Sequence, residues 1–196
     1  MNTCLLRNSA FLLTGLPGSG KTFLGQFITR WNSSFVLLST DTLRKEFHLP
    51  VKDTKSEITS FIYHNLVIRA LNLINKNYIP LLDATFYKKK FRDDAFKEFT
   101  KRKISCFLIW IQTDPQICKN SVLDRRNKGG KENTGVSDMN VFLNLFKGFE
   151  IPEPEERKRY TGSALVDPHG VPLITTEKKF PWELYCCIHH LSVSPK

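Results

Sequence analysis

The octapeptide Gly15-Leu16-Pro17-Gly18-Ser19-Gly20-Lys21-Thr22 matches the pattern G-x-x-x-x-G-K-[ST] at every fixed position. Before it lies the short apolar run Ala10-Phe11-Leu12-Leu13, as expected for a buried strand, and behind it apolar residues recur at helical spacing up to Trp31. A strand, a glycine-rich loop and a helix in this order form the context that the motif requires. The pattern predicts a phosphate-binding loop, and the alternative is a glycine-rich turn that only starts a helix.

Glycine suits a phosphate-binding loop because a Cβ would keep the backbone from wrapping a phosphate. Successive N–H groups and the helix N-terminus supply positive potential there. Lys21 is expected to reach the β- and γ-phosphates, and the Thr22 hydroxyl to bind Mg²⁺. ATP and Mg²⁺ are therefore the predicted cofactors. The residues predicted to contact the nucleotide are Gly15, Pro17, Gly18, Ser19, Gly20, Lys21 and Thr22.

The composition, 41% hydrophobic and 24% charged over 196 residues, suits one globular domain covering residues 1–196. No stretch approaches the ~18 consecutive apolar residues of a membrane span. The apolar run before the loop belongs to the first predicted strand, which argues against a cleaved signal peptide. Five cysteines without a C-x-x-C pair are typical of reduced thiols. We expect a cytoplasmic protein without membrane contact, and the sequence does not indicate an oligomeric state.

The formal net charge of +10 favours an anionic partner, and nucleic acid more than an isolated metabolite. Three basic tracts, residues 88–90, 101–103 and 157–159, could contact a polynucleotide backbone. The alternative is that they are solvent-exposed helix faces.

Apolar runs that read as strands alternate with amphipathic stretches that read as helices. The predicted strands cover residues 10–13, 35–39, 78–82 and 104–111, and pairing of the third is expected to begin at Leu81 because Pro80 disfavours a central strand. The fifth strand is residues 171–175 or 163–166, or the two pair as a hairpin. The alternation predicts an α/β protein, a P-loop NTPase three-layer sandwich with a five-stranded parallel sheet and helices on both faces.

A polar, glycine-rich insert at residues 127–137 interrupts the helices of the second half and is predicted to be a closing lid. The same region contains Asn127-Lys128, but Gly130 occupies the position of the aspartate in the guanine-reading pattern Asn-Lys-x-Asp. A guanine-specific switch protein is therefore disfavoured.

Asp41 follows the second predicted strand and so lies at the edge of the sheet where ligands bind in parallel α/β folds. A carboxylate there suits a general base for an alcohol that accepts a phosphoryl group. Arg44 would share its helix face and hold an anion of the acceptor. The alternative is that Asp41 only caps the helix.

Asp83 follows the third predicted strand and is expected at the same edge. We predict that Asp83 orients Mg²⁺ together with Thr22, or contacts the acceptor with help from Thr85. The alternative is that Asp83 caps the following turn.

In this order, four blocks of the sequence resemble the P-loop kinases related to polynucleotide 5′-hydroxyl kinase and the zeta toxins. They are the loop octapeptide, Ser39-Thr40-Asp41-Thr42-Leu43-Arg44, Leu82-Asp83-Ala84-Thr85-Phe86 with Arg92 after it, and Arg125-Arg126. A Ser137-Asp138 turn and a Phe149-Glu150-x-Pro152 stretch extend the resemblance, which covers roughly residues 10–152.

This resemblance implies a sheet order of 2-3-1-4-5 and transfer of the ATP γ-phosphate to a hydroxyl. It also implies that Asp41 is the general base, that Arg44 and Arg92 bind the acceptor, and that Arg126 is a lid arginine that neutralises the transferring group. Such kinases carry a second lid arginine, but the corresponding position falls near Ser121-Val122. Arg125, Lys119 or Lys131 could replace it.

The leading hypothesis is an ATP- and Mg²⁺-dependent kinase whose favoured acceptor is a 5′-hydroxyl polynucleotide end. The second is a kinase of a nucleotide sugar, as for the zeta toxins, or of another metabolite. The third is a nucleotide-binding module without transfer activity.

Overall fold

Strands and helices alternate along the chain, as their sequence pattern predicts. The computed structural model describes residues 6–50, 56–128, 138–167 and 172–176, with the backbone alone for Arg126, Lys128 and 172–176. Its strands are β1 (Ser9–Thr14), β2 (Phe35–Ser39), β3 (Ile79–Asp83), β4 (Ser105–Ile111), β5 (Gly162–Val166) and β6 (Pro172–Thr176). Its helices are α1 (Lys21–Trp31), α2 (Thr40–Glu46), α3 (Ser56–Asn75), α4 (Lys89–Thr100), α5 (Pro115–Lys128), α6 (Met139–Lys147) and α7 (Pro154–Arg157).

The sheet has the order β2-β3-β1-β4-β5-β6. Its first five strands are parallel, which confirms the predicted fold and the order 2-3-1-4-5. β6 pairs antiparallel with β5, with Leu165 opposite Ile174. The hairpin alternative is therefore the correct one, since antiparallel neighbours need only a short connection whereas parallel strands need a crossover. Residues 163–166 form most of the fifth parallel strand, and residues 172–176 extend the sheet beyond it.

Helices cover both faces of the sheet because the side chains of a strand alternate between its faces. In β1, Ala10 and Leu12 contribute to a core shared with α3 and α4. Phe11 and Leu13 face the opposite core, which includes Leu24 and Ile28 of α1. The predicted three layers are thus present, and β1 is buried on both sides.

The prediction that pairing of β3 begins at Leu81, after Pro80, is correct towards β1 and wrong towards β2. Towards β1 the pairing begins at Leu81, opposite Phe11. Towards β2, Ile79 and Pro80 are already paired. The N–H of Ile79 donates to the carbonyl oxygen of Ser34, next to β2, so the nitrogen of the following residue, Pro80, points towards β1. Pairing with β1 begins only at the next residue, Leu81. Proline is tolerated here since no ladder hydrogen bond is lost.

Short polar side chains begin the helices of the second half as the sequence suggests. An Asp114 carboxylate oxygen accepts the N–H of Gln116 at 2.7 Å, and Asp138 accepts that of Asn140 at 2.8 Å. The predicted lid, residues 127–137, lies mostly outside the described residues, which resume at residue 138. Cys106 and Cys118 are buried free thiols. Among the described residues, no helix has the length and apolar character to span a membrane.

Candidate active site

The carboxyl ends of β1, β2 and β3 meet at one edge of the sheet and continue into the predicted site. The strands lie side by side in the order β2-β3-β1, so residues that follow them become neighbours. A cavity at this edge, which we call the phosphate cavity, is bounded by the glycine-rich loop, by α2 and by α5. Its lining residues are Pro17, Gly18, Gly20, Lys21, Thr22, Phe23, Ser39, Thr40, Asp41, Asp83, Ala84, Thr85 and Arg125.

The loop is shaped by glycines in the left-handed region, and α1 begins directly behind it. Gly18 and Gly20 have φ angles of 83° and 98°, and Gly20 caps α1 without a side-chain hydrogen bond. A Cβ at Gly18 would lie 2.5 Å from the carbonyl oxygen of Cys118, and one at Gly15 would lie 2.6 Å from that of Ile111. These two glycines are therefore required by the protein behind the loop, and not only by a phosphate in front of it as the sequence argument assumed.

Lys21 is held inside the curve of the loop. Its side-chain nitrogen Nζ donates to the carbonyl oxygens of Gly15 at 2.9 Å and Leu16 at 2.7 Å, and to Ser19 Oγ at 3.4 Å. The residue is only 8% exposed, and this burial lowers the pKa of its ammonium group, although Asp83 and Asp41 oppose the shift. Gly15 and Ser19 thus shape the loop and hold the lysine, whereas Lys21 itself lines the cavity.

Thr22 and Asp83 form a pair of oxygen groups at the mouth of the loop. The Thr22 hydroxyl donates to Asp83 Oδ2 at 2.6 Å, and Asp83 is 4% exposed. Burial raises the pKa of Asp83, and Lys21 and the Thr22 hydrogen bond oppose this. A hydroxyl and a carboxylate beside a phosphate site fit Mg²⁺, which binds few protein oxygens and takes its other ligands from phosphates and water. Among the described residues, no group of three or more His, Cys, Asp or Glu side chains is arranged to hold a metal ion.

Asp41 does not cap α2, so the structure contradicts that alternative. Ser39 is the cap, and its hydroxyl accepts the N–H of Asp41 at 3.1 Å. Burial, and next the negative charge of Asp83, raise the pKa of Asp41 from 3.8 to about 6, against the opposing effects of Lys21, Arg125 and Arg44. The carboxylate is thus free of a capping role and remains ionised in most molecules at neutral pH.

A second cavity, the side cavity, adjoins the phosphate cavity. Thr40, Asp41 and Thr85 line both of them. Arg44 lines the side cavity, is 8% exposed and donates to the carbonyl oxygen of Pro50 at 3.3 Å. The other lining residues are Thr59, Ile62, Tyr63, Tyr87, Val141 and Leu145. Asp41 therefore lies where the side cavity and the phosphate cavity adjoin.

Arg92 does not face either cavity, so the structure contradicts the prediction that it binds the acceptor. Its guanidinium is 0% exposed and forms a two-bond ion pair with Glu156, at 2.6 and 2.8 Å. It also donates to the carbonyl oxygens of Phe86 and Glu150, both at 2.8 Å. Arg92 joins the segment after β3 to the segment that contains α7, and no part of it is accessible to a substrate.

Arg125 on α5 lines the phosphate cavity, and its positive charge influences the pKa of Lys21, Asp41 and Asp83. Of the three residues predicted to replace the second lid arginine, Arg125 is thus one that lines the phosphate cavity. The side chain of Arg126 and the whole of Lys131 lie outside the described residues, so Arg126 remains a prediction.

Sequence reasoning missed the contribution of α3 and α6 to the side cavity. Thr59 and Tyr63 are buried on α3, and Tyr63 Oη accepts the N–H of Phe86 at 2.8 Å. Val141 and Leu145 come from α6. A threonine and a tyrosine beside the apolar stripe of a long helix were the available signal, but such residues are also common in ordinary cores.

Comparison with known proteins identifies the family. A family model described as an AAA domain, AAA_33, matches residues 11–147, more than half of the chain. The chain belongs to the AAA_33 family. No curated protein matches it.

Solved structures share the fold of this AAA_33 chain at low sequence identity. The APS kinase of Mycobacterium tuberculosis, solved with AMPPNP and APS, is 16% identical with a TM-score of 0.64, covering 96% of this chain and 99% of that one. Kti12 of Chaetomium thermophilum, solved with ADP-AlF3, is 18% identical with a TM-score of 0.63, covering 93% and 97%. A gluconokinase of Sinorhizobium meliloti 1021 is 13% identical with a TM-score of 0.55, covering 95% and 93%.

The family match and the fold shared with these structures confirm the predicted P-loop fold. They do not single out the polynucleotide kinases, so the acceptor remains a matter for proposal.

Proposed function

We propose that the protein is an ATP- and Mg²⁺-dependent kinase that transfers the γ-phosphate to a hydroxyl group, with a 5′-hydroxyl polynucleotide end as the favoured acceptor. The observation that carries this proposal is the position of Asp41 on the wall common to the phosphate cavity and the side cavity. A general base must lie within hydrogen-bond reach of the proton that it removes. An alcohol in the side cavity meets this requirement while its oxygen faces the phosphate loop.

In the proposed reaction the acceptor oxygen forms a bond to the γ-phosphorus, the bond from that phosphorus to the β–γ bridging oxygen breaks, and ADP leaves. Asp41 accepts the hydroxyl proton, for which a pKa of about 6 is well suited at neutral pH. Lys21 and Arg125, which both line the phosphate cavity, supply positive charge to the phosphates. Bound Mg²⁺ would neutralise further phosphate charge, and Thr22 and Asp83 are the residues suited to hold it.

Arg44 supports an acceptor that carries an anionic group near its hydroxyl. Its guanidinium lines the side cavity with Asp41 and is largely removed from water, where a bond to a phosphate or carboxylate is strong. A nucleotide end offers both a hydroxyl and a nearby phosphate. The net charge of +10 favours a polyanion over an isolated anion.

A small-molecule kinase is the second candidate, and the size of the side cavity favours it. Ile62, Val141 and Leu145 close the cavity with apolar walls, and its volume is only about 60 Å³. The APS kinase and the gluconokinase named above share the fold. A compact anionic alcohol would fit this cavity more readily than a chain end that must leave it again.

Labelling with γ-labelled ATP tests the proposal when 5′-hydroxyl oligonucleotides and a metabolite extract are offered separately. The wild-type protein is expected to label the oligonucleotide, and Asp41→Asn to lose about 10²-fold or more of this rate while retaining affinity for an ATP analogue. Asp124→Asn, an exposed carboxylate of α5, is the matched control and should keep the activity.

Each other result supports a different function. Label in the extract but not on oligonucleotides would support the small-molecule kinase. Tight ATP binding without any labelled acceptor, unchanged in Asp41→Asn, would contradict transfer altogether and indicate a nucleotide-binding module.

A further inference from the structure

A groove of about 450 Å³ lies between α3 and α4, apart from the two cavities of the candidate active site. Its floor is apolar and buried, and includes Tyr63, Val67, Phe91 and Ala95. The Tyr63 and Phe91 rings stack with their centroids 4.4 Å apart. The walls are polar, so the groove has the size and the mixed lining of a ligand site.

One wall of the groove carries a stripe of lysines. Lys90, Lys97 and Lys101 line the groove from α4, and their spacings of seven and four residues place them on one helix face. Lys101 pairs with Glu98, but Lys90 and Lys97 are exposed and have no carboxylate within ion-pair distance among the described residues. The α4 wall therefore offers two cations that are not held in an ion pair within the described part of the chain.

The basic tracts of the sequence are otherwise largely committed to carboxylates. Lys88 pairs with Glu150, and Lys89 with Asp93. Lys101 and Arg102 share Glu98. Lys158 and Arg159 pair with Glu155 and Asp93. These exposed pairs are individually weak, but they reduce the charge that each tract presents to a polyanion. Lys90 is the exception in the first tract, and it faces the groove.

The groove and the side cavity share one lining residue, Tyr63. Tyr63 lines both of them, with its ring against Phe91 of the groove floor and its hydroxyl bonded to the backbone N–H of Phe86. A chain whose end occupies the side cavity would reach the groove by crossing the edge of Tyr63. The groove is thus placed to hold the part of an acceptor that follows its reacting end.

We propose that the α3–α4 groove binds the sugar-phosphate backbone of a single-stranded polynucleotide whose terminal hydroxyl is the acceptor at Asp41. This inference rests on the proposed function and specifies where its favoured acceptor is bound. Lys90 and Lys97 contact phosphates, and Ser60 and His64 on the α3 wall supply hydrogen-bonding groups to the strand. Phosphate contacts of this kind position a strand without reading its sequence.

Asp94 lies between Lys90 and Lys97 on the same wall, so its replacement distinguishes a polyanionic ligand from a protein partner. Glu98, the other acid that lines the groove, already accepts hydrogen bonds from Lys101 and Arg102, whereas Asp94 has no cation within ion-pair distance among the described residues. Its charge opposes a phosphate, so Asp94→Asn strengthens strand binding. A protein partner with mixed charges would instead lose a contact in this variant.

The test measures binding of a fluorescent 20-nucleotide 5′-hydroxyl single strand by anisotropy as a function of salt. Lys90→Glu/Lys97→Glu is compared with Arg7→Glu/Lys76→Glu, which has the same net charge and changes exposed residues near the start of β1 and just after α3. The groove variant is expected to bind at least about 10-fold more weakly, with a slope of log K against log salt reduced by about 1.4, because each lost phosphate contact removes about 0.7. The control variant should keep the wild-type slope.

The outcomes separate this inference from the proposed function. Equal losses in both double variants, or weaker strand binding by Asp94→Asn, would overturn the groove proposal. If the wild type phosphorylates a small alcohol in an Asp41-dependent manner but neither binds nor labels the strand, the kinase stands and the groove fails. If the groove variant loses strand binding as expected and no acceptor is labelled, the binding site stands and the kinase fails.

Discussion

At the residue scale, Asp41 combines a functional position with an unfavourable environment. Its folded pKa of about 6 lies above the ordinary 3.8, so the folded protein holds this proton more tightly than the unfolded chain. The resulting stability is present below about pH 3.8 and is lost as the pH rises through about 6. Ionised Asp41 is therefore expected to destabilise the fold at neutral pH, where the proposed function requires it to be a base.

Replacing Asp41 by asparagine is predicted to stabilise the protein above pH 6, because the amide carries no charge to desolvate. A shift of about 2 pKa units corresponds to about 1–3 kcal/mol at pH 7.5, and the difference from wild type should disappear near pH 4. Urea unfolding of both proteins at these two pH values measures it, with Asp124→Asn as the control. A variant that is less stable at pH 7.5, or a difference that does not change with pH, would contradict the burial argument.

Lys21→Ala is predicted to remove ATP turnover while leaving the protein folded. The substitution deletes three hydrogen bonds to the loop but also removes a buried charge, so its effects on stability partly cancel. Turnover should fall about 10²-fold or more, and the thermal transition should move by only a few degrees. Lys45→Ala, an exposed residue of α2, is the control. Turnover near the wild-type rate would show that this lysine does not act on phosphate.

The sequence indicated most of the candidate site because its residues follow strand ends and a known loop pattern. Asp41, Asp83 and the loop could be placed together from their positions after parallel strands alone. The role of Arg92 could not, since its partner Glu156 is 64 residues away in the chain. Linear spacing identifies residues on one element, but it does not show which distant carboxylate a buried cation will meet.

At the element scale, the buried ion pair of Arg92 and Glu156 joins α4 to α7, and its side chains are 0% and 2% exposed. Glu156→Gln should destabilise the protein by about 3–5 kcal/mol, because it leaves a buried guanidinium without its counter-charge. Arg92→Met/Glu156→Leu should be less destabilised than the sum of the single changes, since no isolated charge remains. Urea unfolding of the wild type, Arg92→Met, Glu156→Leu and the double variant measures the coupling.

The exposed pair Lys158 and Glu155, on the same short helix, is the matched control with side-chain exposures of 64% and 82%. Glu155→Gln should change stability by no more than about 0.5 kcal/mol. Additive effects at the buried pair, or equal losses at the buried and the exposed pair, would mean that Arg92 and Glu156 do not stabilise the α4–α7 junction as a unit.

Element boundaries followed from the sequence where local signals were decisive, as with the aspartates that begin α5 and α6. The predicted boundaries were incomplete where contacts with other strands determine the limits of a strand. Pro80 belongs to β3 because at this residue β3 is paired with β2 alone, and pairing with β1 begins one residue later, at Leu81. Both apolar runs near the end of the described chain are strands, since β5 completes the parallel order and β6 pairs along its outer edge.

At the scale of the whole molecule, the sheet brings together side chains that are distant in sequence. Ion pairs, in contrast, reduce the net charge of basic residues that are adjacent in sequence. Asp41 and Asp83 meet the loop because β2, β3 and β1 are neighbours. Within the basic tracts, Lys88 pairs with Glu150 and Arg159 with Asp93, which reduces the charge that these tracts present. A net charge of +10 therefore predicts the sign of a partner but not the surface that binds it.

The most direct test of the central claim is the distance from Asp41 to the γ-phosphorus in a crystal structure with a non-hydrolysable ATP analogue. An acceptor oxygen within hydrogen-bond reach of the carboxylate and about 3–3.5 Å from phosphorus requires a separation of at most about 6–7 Å. We predict a value in this range, with the carboxylate facing the side cavity. A separation well beyond it, or a carboxylate turned away from the phosphate, would contradict the assignment of Asp41 as the base.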